Sequence, residues 1–204
     1  NANQNSSSNL AGIPISIKDL VPVKGVKTTW GSPLFKDHIP EKSDFLVERL
    51  EQNGGIVMGK SNTPEFGAGA NTFNEVFGPS LSPWNTKKTV GGSSGGAASS
   101  LLSGEVWLAS GSDTGGSLRI PGSFCSVVGF RPSPGTVPKG PGNSPFDSLS
   151  VSGPMARNVE DTALMLNAMT GYYEFDPYSK KDTPNYLDAV SNPKIPKKIA
   201  YSFD

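Results

Sequence analysis

Histidine and cysteine are nearly absent from this 204-residue sequence, which holds one of each, His38 and Cys125. A single cysteine excludes an internal disulfide framework and fits a reducing, cytoplasmic compartment. With one histidine, one cysteine and no clustered carboxylates, no metal site is expected, and no cofactor is implied. A Ser-His-Asp triad would depend on His38 alone, which stands in a polar loop and reads as a surface residue. Charge is also sparse: charged residues make up 18% and the formal net charge is zero. That balance argues against nucleic acid or an acidic membrane surface as the main partner, since both select basic patches. No window approaches the ~20 apolar residues of a membrane-spanning helix. The N-terminal stretch lacks the charged-then-apolar layout of a signal peptide, and residues 1–11 read as a polar lead-in.

What is abundant is small. Glycine and proline number 24 and 18, and serine is frequent. These residues alternate with strand and helix patterns, so they read as tight turns within a packed fold. Gly12 to Leu20 alternates Ile13, Ile15 and Ile17 as a buried strand would, with Lys18 and Asp19 at its end. Ser43 to Gly54 carries a helix, capped by Ser43 or Asp44, with Leu46, Val47 and Leu50 as its apolar stripe. Gly55 to Gly59 is a short buried strand, and strand–helix–strand in this order predicts an α/β sheet. Residues 60–84 are turn-rich; Phe66, Phe73, Phe77 and Trp84 there are expected to fill core or line a pocket. Ala97 to Leu102 is a helix candidate, Glu105 to Ser110 a strand, and residues 131–145 a loop. Asn158 starts a helix that Gly171 ends. Residues 172–198 read as a surface connection, and Ile199 to Ser202 as the first strand of a C-terminal half that the chain does not contain.

The stretch from Gly91 to Pro121 holds two glycine–serine turns, Gly91-Gly92-Ser93-Ser94-Gly95-Gly96 and Gly115-Gly116-Ser117. Glycine lets backbone N–H groups face a ligand. Two such turns could bring hydroxyls and N–H groups together, as a serine nucleophile with an oxyanion hole requires. Other readings fail on detail. Gly54 to Ser61 formally matches the phosphate-loop pattern, but its interior is an apolar strand and no helix pattern follows before Pro64. Gly92 to Gly96 fits the hydrolase elbow, whose histidine must follow the serine, whereas His38 precedes it. The S-x-x-K pattern falls only in the Pro-interrupted Ser191-Asn192-Pro193-Lys194. A lysine base remains, and Lys18, ending an apolar strand, is where burial would depress a lysine pKa. The bland alternative is a strand-end charge paired with Asp19.

Several segments together resemble the amidase signature family of serine amidohydrolases. They are Gly12-Ile13-Pro14 with Lys18-Asp19, Lys60 to Phe66, Gly91 to Gly96, Gly111 to Ser117 with Arg119 and Pro121, Val128 to Ser133, and Ser152 to Arg157. The resemblance runs over roughly residues 10–202, with 12–171 as its core. It implies a mixed β-sheet covered by helices on both faces, incomplete in this chain. It also implies hydrolysis of a small-molecule carboxylic amide, with Ser117 as the acylated nucleophile, Ser93 as a bridging serine on a cis peptide bond, and Lys18 as the base. The N–H groups of Thr114, Gly115, Gly116 and Ser117 would form the oxyanion hole. Ser94 would support the turn, and Asp113 and Arg119 would brace the nucleophile loop as an ion pair. A homo-oligomer is compatible with this reading. The family also includes the glutamine-hydrolysing subunits of tRNA-dependent amidotransferases. Those commonly carry Gln after the motif arginine, where this chain has Ile120.

Overall fold

The computed structural model describes residues 9–202 other than 141 and 143. Strand β1 (Pro14–Lys18) is followed by helix α1 (Phe45–Gln52) and strand β2 (Ile56–Ser61), the expected strand–helix–strand unit. Asp44 caps α1, its carboxylate accepting from the Leu46 N–H at 2.9 Å. β2 lies parallel to β1, with Ile15 beside Val57 and Lys18 beside Ser61. Residues 1–8 of the expected lead-in lie outside the described residues. Within the remainder, Leu10 is fully buried and its N–H donates to the Asn53 carbonyl at 2.9 Å, so the core begins before Gly12.

Residues 60–84 fold mostly into two small antiparallel pairs, β3 (Phe73–Asn74) with β4 (Gly78–Pro79) and β5 (Leu81–Ser82) with β6 (Asn85–Thr89). Phe66, Phe73, Phe77 and Trp84 are all exposed. The expectation that they fill core is corrected, because strands only two to five residues long place no layer over them.

Helix α2 (Gly95–Leu102) leads to strand β7 (Leu108–Asp113), then helix α3 (Arg119–Cys125), strands β8 (Val128–Gly129) and β9 (Val151–Ala156), helix α4 (Val159–Met169) and helix α5 (Tyr186–Ser191). β7 starts later and runs further than the apolar pattern predicts. Its second half, Ser110 to Asp113, is small and polar, and is held by a full antiparallel register with β9 from Leu108–Ala156 to Asp113–Val151. α3 leaves little sequence trace because it contains Pro121 and Gly122. The proline falls in the first turn, where helical N–H groups have no intrahelical acceptor and a missing one costs little.

The main sheet has the order β2-β1-β7-β9-β8, parallel across β2, β1 and β7 and antiparallel across β9 and β8. Two apolar clusters cover its two faces. Ile15, Ile17, Leu108 and Ala156 pack with residues of α1 and α4, and Ala109 and Met155 pack with α2 and with Leu118 and Cys125 around α3. The mixed sheet with helices on both faces is thus present. α5 lies on α4, where the Tyr186 N–H donates to Asn167 Oδ1 at 2.8 Å. Residues 199–202 are irregular and exposed rather than a strand, since no strand lies beside them among the described residues.

Candidate active site

The three parallel strands end at one edge of the sheet, and the candidate residues gather there. This is the edge where open α/β sheets bind ligands. Alternation along β1 sends Ile15 and Ile17 into the α1–α4 core and leaves Lys18 on the other side. Lys18 has no exposed surface. Its Nζ lies 2.7 Å from Ser93 Oγ, 2.9 Å from Ser94 Oγ and 3.0 Å from Ser112 Oγ. Burial lowers its pKa from 10.5 to about 7, against the opposing charge of Asp113. Lys18 does not pair with Asp19, whose carboxylate instead meets Lys60 Nζ at 3.2 Å.

Ser93 follows a cis Gly92–Ser93 peptide bond and is 3% exposed. The glycines of this turn have a steric cause. A Cβ on Gly96 would stand 2.2 Å from the Asn62 nitrogen, closer than any real contact. Ser94 ties the turn to β7: its hydroxyl donates to the Ser112 carbonyl and accepts from the Ser112 N–H, both at 3.2 Å. The Ser94 N–H donates to the Ser117 carbonyl at 3.2 Å, which joins the two glycine–serine turns directly.

The second turn is organised by Asp113, which is fully buried. Its carboxylate accepts from the Gly116 N–H at 2.8 Å, the Leu118 N–H at 3.2 Å, Arg119 Nε and Nη2 at 3.0 Å each, and Arg131 Nη1 at 3.0 Å. Burial alone would raise this carboxyl. Hydrogen bonds from Arg119 and the two N–H groups, with the Arg119 charge, bring it down to about 2. Arg131 Nη1 also donates to the Asp113 carbonyl. The Gly116 N–H is therefore committed to Asp113. The N–H groups of Thr114, Gly115 and Ser117 have no acceptor among the described residues, and these are the ones free to meet an oxyanion. The Ser117 hydroxyl is partly exposed and has no hydrogen-bond partner among the described residues.

Three residues at this edge were not singled out in the sequence as site residues. Ser112 sits inside the second glycine–serine motif. Arg131 follows the apolar run ending at Phe130. Lys60, within the formal phosphate-loop match, ends an apolar strand just as Lys18 does, which was the signal that could have found it. In the structure Lys60 belongs to β2 and its ammonium is taken up by Val21, Thr28 and Asp19, so no phosphate cradle exists there. A recess of about 710 Å³ lies elsewhere, lined by Asp44, Phe45, Lys139 and Tyr173 among others, and by none of Lys18, Ser93 and Ser117.

A mixed α/β sheet with a buried lysine set against serines of two glycine turns defines a class of protein in which serine chemistry runs without histidine. Comparison with known proteins gives the family: the amidase model, described as "Amidase", matches residues 1–204, and the chain belongs to that family. It is 43% identical over 183 residues to the glutamyl-tRNA(Gln) amidotransferase amidase-type subunit from Natranaerobius thermophilus, covering 89% of this chain and 37% of that protein. A bacterial aryl acylamidase of the amidase signature family superposes with a TM-score of 0.84 at 34% identity, over 89% of this chain and 38% of that one. The peptide amidase of Stenotrophomonas maltophilia superposes at 0.79 and 28% identity, over 89% and 39%. The chain thus spans about two-fifths of the length of the relatives it matches. Among the described residues no helix is long and apolar enough to cross a membrane.

Proposed function

We propose that the protein carrying this chain hydrolyses a small-molecule carboxylic amide through an acyl-enzyme on Ser117, relayed by Ser93 and Lys18. The observation that carries the reading is the Lys18–Ser93 contact at 2.7 Å, made by a fully buried lysine whose pKa is about 7. A lysine that is substantially neutral near neutral pH can accept a proton, which one at its ordinary value of about 10.4 cannot do efficiently. In the reaction Lys18 draws the Ser93 proton as Ser93 takes the proton of Ser117. The Ser117 alkoxide attacks the amide carbon, and the N–H groups of Thr114, Gly115 and Ser117 meet the oxyanion. The proton returns through Ser93 to the departing amine, and water then cleaves the ester.

Labelling with a fluorophosphonate, together with amide turnover, tests this in the intact protein. The expected adduct is on Ser117, and Ser117→Ala and Lys18→Ala are each expected to lose at least ~10³-fold in kcat. Near-normal turnover in both variants, or an adduct on another serine, would refute it. The naming of the curated relatives favours a second reading, glutamine hydrolysis within a tRNA-dependent amidotransferase. Against it stands Ile120 at the position where such subunits commonly carry Gln. Ammonia release from glutamine, with and without charged tRNA, separates the two.

A further inference from the structure

Two lysines stand side by side near the ends of β1 and β2, yet their surroundings differ completely. Lys18 faces three serine hydroxyls, as described. Lys60 Nζ donates to the Val21 carbonyl at 2.6 Å and Thr28 Oγ1 at 2.8 Å, and lies 3.2 Å from Asp19 Oδ1. Its side chain is 10% exposed and that of Asp19 is 3% exposed. Asp19 also accepts from the Thr29 N–H at 3.1 and 3.2 Å and from the Thr29 hydroxyl. Asp19 directly follows Lys18, so the two side chains leave the backbone on opposite sides. An enclosed carboxylate next to a lysine is the partner that would ordinarily hold it protonated.

We propose that Lys60 is a positioning residue for Lys18: by engaging Asp19 on the far side of β1 it cancels that charge and leaves the Lys18 amine to the serines. This rests on Lys18 acting as the base proposed above. The groups facing the pair are few. The loop carrying Thr28 and Thr29 offers hydroxyls, His38 contributes only its carbonyl to the Thr28 N–H, and Asp113 approaches Lys18 from β7. Asp113 is the carboxylate that acts to raise Lys18, and Lys60 offsets the nearer one in sequence.

The test is the pH dependence of fluorophosphonate labelling at Ser117 in the intact protein, whose acid limb reports deprotonation of Lys18. A charge about 10 Å away at an effective dielectric near 20 shifts a lysine by about one pH unit. Lys60→Met is therefore expected to move the acid limb up by about that amount, and Asp19→Asn to move it down. The double variant is expected to bring it back to the wild-type position, and Lys60→Arg to keep it there. A merely structural role would lower the rate at every pH with the limb unmoved. That result, or shifts of the same sign in both single variants, would overturn the proposal. If Lys60→Met does not fold, Asp19→Asn and the double variant carry the same test of sign. Loss of the Lys18 base reading has a different signature, an acid limb that persists in Lys18→Ala, and it would overturn both proposals together.

Discussion

Replacing Lys18 with Met is expected to make the protein more stable while abolishing activity, and the structure sets the size of the effect. The lysine titrates at about 7 in the folded state against 10.5 when unfolded. Between those values the unfolded chain binds a proton that the folded one does not, so stability rises with pH across that window. Below about pH 7 both states are protonated and the full cost is present. As pH climbs through the window the cost shrinks, and above the unfolded value it is gone. The difference of about 3.5 in pKa, at 1.36 kcal/mol for each pH unit, corresponds to about 5 kcal/mol. Methionine has similar bulk and no charge to desolvate. It forfeits the hydrogen bonds to Ser93, Ser94 and Ser112, each worth about 1 kcal/mol net. The balance is a gain of roughly 2 kcal/mol near pH 7, falling to a net loss near pH 10. Urea unfolding of wild type and Lys18→Met, measured from pH 6 to 10, reads this directly as midpoints at constant m. Two stability curves running parallel in pH would refute the reasoning, because they would mean that Lys18 does not change its proton affinity on folding.

Two further outcomes follow from the geometry. Gly96→Ala would place a methyl 2.2 Å from the Asn62 backbone nitrogen, and the loss of stability is expected to be about 3 kcal/mol, visible as a lowered urea midpoint. Ser112→Ala removes one of the three hydroxyls on Lys18, and kcat/KM is expected to fall about 10-fold, the rate equivalent of one net hydrogen bond.

The first half of the fold was readable because its physics is local. Alternating isoleucines marked β1, an Asp-capped stripe marked α1, and the order of the two with β2 implied the parallel unit. What escaped the pattern was held by tertiary partners. β7 and β9 are rich in Ser, Gly and Pro, which have little strand preference, and they are strands because each satisfies the other along six residue pairs. The site divides in the same way. The glycine–serine turns and the strand-end lysine carry their chemistry in the sequence. Asp113 commits the Gly116 N–H through a hydrogen bond that no spacing reveals, and Arg131 reaches Asp113 across 18 residues. The pairing of Asp19 with Lys60 instead of Lys18 was undecidable from adjacency, since neighbouring residues on a strand face opposite sides.

The proton inventory at Lys18 explains why the two serines of one turn have unequal parts. A neutral amine has two N–H donors and one lone pair, yet three hydroxyl oxygens lie within 3.0 Å of Nζ. One of those hydroxyls must therefore donate to the nitrogen whenever Lys18 is neutral. Ser94 cannot do so without giving up its bond to the Ser112 carbonyl, where its single proton already goes. Ser93 and Ser112 have no such commitment among the described residues, and Ser93 is the nearer of the two, by 2.7 against 3.0 Å. The lone pair of the neutral lysine is thus directed at Ser93, whose oxygen is left with acceptor capacity for the proton of a third group. That is the electronic requirement for a relay, and it is met by the serine on the cis bond and not by its neighbour one residue along. Ser94, bound to both the N–H and the carbonyl of Ser112, instead holds the turn against β7 so that the distance from Ser93 to Lys18 stays short enough for transfer.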